Sequence, residues 1–423
     1  MPEMISNQKE SIFVNMHEQK RNQRNAVLAG FLGWTLDAFD FFILTFALAA
    51  VAKDFNVSIA DMALTLTASL VMRPVGAFIF GLMADRYGRK GPLMISIIFY
   101  SIMEIFSGLA PTYTTFLTLR LLYGIGMGGE WGVGASLVME SVPVKRRGFL
   151  SGLLQEGYAF GFLLAAAAYY FIFPHFGWRA MFFVGGLPAL LTLFIRSKVK
   201  ETAAWKAAKT HDWKEYGTAV KKNWKLFLYL ILLMSMMNLI SHGTQDLYPT
   251  FLQQQRHFSP HTTALITMVS MVGAILGGLL FGHLSDLYGR KKMMAIAVVL
   301  AIILIPLWLF AGGSLLIAVG AFGMQFMVQG AWGVIPAHIN ELSPGSLRGF
   351  FPGFAYQLGV LIASTIVYIE AVLAEHLSYS TAMGILAGSV LFLGAIVILA
   401  GPEAKGIHFH PVEKQVEENV LMN

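Results

Sequence analysis

Twelve apolar stretches follow one another along the chain, separated by short polar breaks. They lie near 26–51, 61–84, 92–111, 114–140, 149–173, 178–196, 226–251, 262–284, 293–312, 314–338, 350–374 and 378–400. Each is close to or above the ~20 residues a helix needs to cross about 30 Å of hydrocarbon. Composition agrees: 56% of residues are hydrophobic and 13% charged, where a soluble domain carries about 25% charged residues. Insertion of a central Arg, Lys or Asp costs roughly 2.5–3.5 kcal/mol, so charge depletion is what bilayer residence demands. The expected fold is an all-α membrane protein of twelve transmembrane helices. There is no Cys, which excludes disulfides, thiolate catalysis and Cys-ligated metal. The first 25 residues are polar and mixed in charge, unlike a signal peptide.

Lys and Arg set the orientation, because loops on the cytoplasmic side carry them in excess. One set of loop segments holds Lys9, Lys20, Arg21 and Arg24, then Arg86, Arg89 and Lys90, then Lys145, Arg146 and Arg147. The same set includes the Lys-rich stretch from Arg196 to Lys225, then Arg290, Lys291, Lys292, Arg348, Lys405 and Lys414. The opposite loops keep Lys53, Arg179 and Arg256. The expectation is a multi-pass protein of the cell membrane, a bacterial inner membrane, with both termini cytoplasmic. The net charge of +6 then serves topology and anionic lipid, and its scatter over loops argues against nucleic acid.

A duplication at one offset organises the chain. Gly81-Leu-Met-Ala-Asp85-Arg-Tyr-Gly-Arg-Lys90 recurs as Gly282-His-Leu-Ser-Asp286-Leu-Tyr-Gly-Arg-Lys291, 201 residues on. Glu140 and Arg147 recur at the same offset as Glu341 and Arg348, and Trp131-Gly132 as Trp332-Gly333. Two six-helix bundles in parallel orientation follow, related by an axis along the membrane normal. The divisions are a tail at 1–25, a first bundle at 26–196, a linker at 197–225, a second bundle at 226–400 and a tail at 401–423. Trp205, Trp213 and Trp224 suggest that the linker lies as an amphipathic helix on the inner surface.

The loop Gly-x-x-x-Asp-Arg-x-Gly-Arg-Lys resembles the signature of the major facilitator superfamily. Asp85, Arg86 and Arg89 are placed to pair with helix ends such as Glu140, as are Asp286 and Arg290 with Glu341. With Arg147 and Arg348 they are expected to form an inside gate that locks one conformation and releases in the other.

Ionisable residues deep in spans are functional candidates. Asp37 and Asp40 lie three apart, on one helix face. Two neighbouring carboxylates at low dielectric disfavour double ionisation, which suits a proton-coupling site. Arg120, in Arg120-Leu-Leu-Tyr-Gly124-Ile-Gly-Met-Gly128-Gly129-Glu130, resembles the superfamily's helix 4 motif, whose Arg often pairs with a helix 1 Asp. Arg73, twelve residues before Asp85, sits about 18 Å from the gate at 1.5 Å per residue. It is a candidate ligand for a substrate carboxylate, with Asp40 as the alternative partner and Pro74 as a kink site. Glu130 joins the proton-coupling candidates because it adjoins Trp131 in the repeated segment. Glu104, Glu156 and Glu370 are weaker candidates, cavity-lining or paired.

Helix 7 reads Asn238-Leu-Ile-Ser241-His242-Gly-Thr244-Gln245-Asp246-Leu-Tyr-Pro-Thr250. Its polar residues follow helical spacing, so a polar stripe including Thr250 faces a cavity or a partner. His242 exchanges a proton near neutral pH, and Asp246 a turn away favours its charged form. The segment is similar to the signature Asn-x-x-[Ser/Thr]-His-x-[Ser/Thr]-Gln-Asp-x-x-x-Thr of Jen-type permeases. The first-half stretches Gly33-Trp-Thr-Leu-Asp37-Ala-Phe-Asp40-Phe-Phe and Gly128-Gly-Glu130-Trp-Gly-Val-Gly-Ala-Ser136 are similar to the sialate:proton symporter group and its bacterial lactate branch.

The resemblance implies proton-coupled symport of a small monocarboxylate, lactate or pyruvate, through a single chain acting as a monomer. Arg73, Arg120, Asn238, Ser241, His242, Thr244 and Gln245 are the expected substrate ligands, with Trp131, Trp332 and Gln329 shaping the walls. Asp37, Asp40, Glu130, His242 and Asp246 are the expected proton carriers. A sialic acid or other organic-anion symporter is the alternative. A drug antiporter lacks support, because Gly157-Tyr-Ala-Phe-Gly161 has no Gly-Pro pattern, and short tails disfavour a sensor. No nucleotide loop, metal ligand set or catalytic constellation is present in the sequence, so no cofactor and no enzyme are expected.

Overall fold

The computed structural model describes residues 2–209 and 212–409. The side chains of Lys9 and Arg196, and the whole of Lys414, lie outside what is described. Among the described residues there are helices and no strands.

Among the described residues, ten helical segments are long and apolar enough to cross a membrane. The first three spans are α1 (Pro2–Asp54), α2 (Ile59–Tyr87) and α3 (Lys90–Gly108). The fourth span is α4 (Tyr113–Gly128) with α5 (Glu130–Ser141), and the fifth is α6 (Arg147–Gln155) with α7 (Gly157–Phe171). The sixth is α8 (Phe173–Val184) with α9 (Pro188–Lys198). Short helices α10 (Ala203–Ala208) and α11 (Trp213–Lys222) form the linker. The seventh span is α12 (Trp224–Gln245) with α13 (Tyr248–Gln254). Then come α14 (Pro260–Tyr288), α15 (Arg290–Phe310) and α16 (Ser314–Leu342). The eleventh is α17 (Phe351–Ala363) with α18 (Ile366–His376), and the twelfth is α19 (Tyr379–Ala400). The fourth and eleventh spans thus fall short as single helices and are completed by two pieces. The polar stretch before residue 26 continues α1.

Local chemistry explains the ends. Ser58 and Asp61 form a reciprocal capping box at the start of α2, which satisfies two orphan donors. Thr112, Ser259 and Ser378 cap α4, α14 and α19 through their hydroxyls. Gly88 and Gly289, at φ 107° and 108°, end α2 and α14 in a region where a Cβ would be strained. Pro74 produces no break, since α2 runs through it.

Packing follows membrane rules. Leu64, Val71, Val75, Phe78 and Ile79 form an exposed apolar stripe on α2, and Leu265, Val272, Leu276 and Leu280 one on α14. Contiguous apolar patches of that kind need a lipid or protein cover. The inward faces approach through small residues. A Cβ on Gly128 would collide with the Arg73 carbonyl, so α2 and α4 touch backbone to backbone.

Candidate substrate cavity and gate

The two bundles meet at the end of the molecule that bears the basic loops, here the basic end. The repeated motifs build matching clusters there. In the first bundle Arg89 bonds Asp85 at 2.6 Å and Glu140 at 2.8 Å. In the second, Arg290 bonds Asp286 at 2.7 Å and Glu341 at 2.9 Å. Their side chains are almost fully buried, so the pairs are needed to offset desolvation.

Each cluster also grips the opposite bundle. Arg348 reaches Glu140 at 3.3 Å, and Arg147 reaches Glu341 at 3.2 Å. The Asp85 carboxylate accepts from the Gly349 and Phe350 amides at 2.6 and 3.1 Å. Asp286 accepts from the Gly148 and Phe149 amides at 2.8 and 3.0 Å. Acidic groups at helix N-termini are favoured by the exposed N–H groups and the helix dipole. Ser136 Oγ adds a contact to Arg348 O at 2.6 Å. The residues expected to form a gate thus join the two bundles at this end. Arg86 lies 5.4 Å over the Trp213 ring of the linker.

Linker and C-terminal segment cover this gate. Glu201 accepts from the Arg89 and Lys90 amides; Trp205 Nε1 donates to the Asp85 carbonyl and Tyr216 O–H to its carboxylate. The linker thus packs on the gate through two of its helices. Glu403 mirrors Glu201 on Arg290 and Lys291. Partial burial pushes the Glu403 carboxyl up, but the amides of Lys405, Arg290 and Ala404 hold it below the usual carboxylate range. Phe409 lies 3.8 Å from both Arg147 and Arg348. Asp85→Ala should unlock this end. Removing one partner of a buried pair costs about 3–5 kcal/mol, which is a hundredfold or more in the closed-to-open ratio, at roughly tenfold per 1.4 kcal/mol. A cysteine placed at the buried Ala337 would report the opening as faster thiol labelling, and an unchanged rate would count against the gate.

Beyond the gate an aromatic layer closes the floor of a cavity. Tyr356 packs on Trp131 at 4.3 Å between ring centroids, and on Trp34 and Trp332 at 6.3 and 6.0 Å. The cavity, about 460 Å³, lies between the bundles on the far side of this layer. Helix 7 supplies Asn238, Ser241, His242, Gln245 and Asp246 to its wall, and Gln329 and Trp332 come from α16. The first bundle supplies Asp37 and Arg73.

The Arg73 guanidinium stands 3.9 Å from Asp37, a long ion pair. It also donates to Met127 Sδ and lies over the Phe41 ring, while its Nε has no hydrogen-bond partner. His242 Nδ1 and Asp246 Oδ2 are 2.9 Å apart. Gln245 donates to Gln325 at 2.9 Å, and Gln329 to Ser241 at 3.3 Å. This wall offers one loosely held cation, a His–Asp pair and several amides and hydroxyls, a set suited to an anion with hydroxyl or carbonyl groups.

Several expected residues stand elsewhere. Arg120 is buried behind the cavity, bonded to Glu104 at 2.6 Å and Ser107 at 2.7 Å, and 4.1 Å from the Tyr123 ring. Its expected partnership with a helix 1 Asp does not form as a direct pair; Arg73 holds that place with Asp37. Asp40 does not line the cavity; its carboxylate is buried without hydrogen bonds, near Glu104 and Arg120. Glu130 is buried against Gly33 of α1. Trp131 lies in the floor, its Nε1 toward Gln155 at 3.4 Å. Thr244 points away from the wall, to Gln325. Thr250 leaves the stripe because the helix is interrupted at Asp246–Leu247.

Sequence reasoning missed Gln155, Tyr158, Tyr356 and Phe42 on the wall. Gln155 precedes Glu156, where α6 gives way to α7. A polar pair at that point was a usable signal; the aromatic residues carry none that separates them from core.

The family model described as Major Facilitator Superfamily matches residues 30–245 and 246–419. The chain belongs to this superfamily. It is a multi-pass membrane transporter of that type. It is 30% identical over 420 residues to a carboxylic acid transporter protein homolog of Saccharomyces cerevisiae, covering 90% of this chain and 68% of that protein. It is 29% identical to the sialic acid transporter NanX of Escherichia coli, covering 91% and 95%. The solved proton:xylose symporter XylE superposes with a TM-score of 0.72 at 19% identity, over 92% of this chain and 98% of that one; this likeness speaks for the fold.

Proposed function

We propose that this transporter is a proton-coupled symporter of organic acids, with a small monocarboxylate of the lactate or pyruvate type as cargo. The observation that carries the reading is Arg73, a buried cation on the cavity wall whose carboxylate partner is 3.9 Å away. A cargo carboxylate binding Arg73 competes with Asp37 for it. Once displaced, Asp37 would be a buried anion without a partner, so it takes up a proton. Charge in the cavity is then conserved, and anion and proton travel together. Asn238, Ser241 and Gln245 orient the cargo, and His242 with Asp246 offers a second proton-holding pair. With the basic end cytoplasmic, the closed gate exposes the cavity to the outside.

A larger cargo such as sialic acid is the second reading, favoured by the similarity to NanX and by a cavity of about 460 Å³, roomy for a three-carbon acid. Counterflow of labelled lactate in proteoliposomes, with an imposed pH gradient and each acid as competitor, separates the readings. Acid-stimulated lactate counterflow supports the first. Lactate inert as substrate and competitor, with sialic acid active, supports the second. Uptake indifferent to the gradient removes the proton.

A further inference from the structure

The two bundles meet along two seams that the repeat makes equivalent. In one, α6 packs on α14; in the other, α17 packs on α2. Gly148 and Gly152 of α6 correspond to Gly349 and Gly353, and Gly282 of α14 corresponds to Gly81, all 201 residues apart. These glycines let backbones touch: a Cβ on Gly152 would strike the Gly278 carbonyl, and one on Gly282 the Gly148 carbonyl.

One turn beyond Gly152, on the same helix face, comes Glu156, which is 4% exposed. Its Oε1 is buried with no hydrogen-bond partner, and a Cβ on Gly278 would collide with that oxygen. The carboxyl thus lies inside the seam. Among the described residues no charged group forms a hydrogen bond or ion pair with it. α14 presents Gly278, α16 presents the Gln329 backbone, and α1 presents Phe31, Trp34 and Thr35 to the adjoining Gly157. His283, further along α14, packs instead on Phe149 at 6.4 Å between ring centroids. The equivalent of Glu156 is Gln357, 1% exposed, its Oε1 also buried and unpartnered. The repeat therefore supplies its own control: an uncharged amide of the same shape occupies the matching position. An ionised carboxylate buried without a donor is costly, whereas the protonated acid resembles the amide.

From this geometry we propose that Glu156 is a proton-dependent latch on the α6–α14 seam. The carboxylic acid form lets the basic end close; the carboxylate requires water and parts the seam. Glu156 is not on the cavity wall, so it acts on the conformational equilibrium and not on cargo contacts. The inference rests on the alternating-access reading but is independent of cargo identity, because the test needs no substrate.

The chain has no Cys, so Arg146→Cys and Tyr288→Cys, both exposed, give a specific spin-label pair across this seam in the full-length protein. Its separation is measured by pulsed electron paramagnetic resonance from about pH 5 to about pH 9, a range that brackets buried carboxyls. The closed-to-open ratio should rise with acidification by up to about tenfold per pH unit, the limit for one proton. Glu156→Gln should stay closed with a flat ratio, and adding Gln357→Glu should restore a pH dependence through the other seam. A flat wild-type ratio, or a full slope surviving in Glu156→Gln, would overturn the proposal. Loss of lactate transport with the slope intact would overturn the cargo and leave the latch standing.

Discussion

Arg73→Ala sharply reduces organic-acid uptake at low substrate. Truncating one partner of a buried charge pair costs about 2–5 kcal/mol, or roughly thirtyfold to several-thousandfold in uptake at low substrate, at about tenfold per 1.4 kcal/mol. The loss should appear chiefly in KM, because the guanidinium holds the anion itself. Arg73→Lys should fall between, keeping the charge but not the planar fork that matches a carboxylate. Asp37→Asn should behave differently: it retains counterflow and loses stimulation by a pH gradient, because the competitor for Arg73 no longer carries a proton. Initial rates in proteoliposomes against substrate concentration read both effects. Uptake by Arg73→Ala with the wild-type KM would remove this residue from the site.

Arg120→Ala fails for another reason. Arg120 lies against Glu104 and three aromatic rings, at 1% exposure. Its removal leaves the Glu104 carboxylate buried without its cation, which costs about 3–5 kcal/mol of stability. The expected result is a large fall in the thermal unfolding midpoint in detergent and a low yield of folded protein. Arg120→Leu combined with Glu104→Leu should recover most of the midpoint, since apolar replacement of a buried pair is often neutral. An Arg120→Ala protein that melts like wild type yet does not transport would return Arg120 to the mechanism. The distinction matters for Asp40, which lies near this pair and off the cavity wall, where Asp37 lines it beside Arg73.

The gate was the most legible part of the site. Asp85 and Arg89 are four apart across the Gly88 turn that ends α2, so a short local segment brings them together. Asp286 and Arg290 meet in the same way across Gly289, and His242 and Asp246 lie one helical turn apart. Partners further apart in sequence were less certain. Glu140 was named for Arg89 because the repeat doubled it as Glu341. Arg120 with Glu104 is only 16 residues apart, but the two lie on successive antiparallel helices. Their meeting depends on how α3 and α4 are rotated about their axes, and a helix turns about 100° per residue. A small rotation exchanges one buried partner for another, and apolar periodicity around a membrane helix is too weak to fix it.

By itself the sequence determined that the chain crosses the membrane as paired six-helix bundles, because length, charge depletion and the 201-residue repeat leave no other way to satisfy its backbone in hydrocarbon. It also marked charged residues that join the bundles at the basic end. The tertiary structure alone decided that each Asp of the repeated loop caps a helix of the opposite bundle. It decided too that Arg73 and not Arg120 faces the cavity, and that Glu156 lies in a seam. The first and last of these are contacts between bundles and the second depends on how helices are turned within one bundle, and pairing of neither kind leaves a periodicity in the chain.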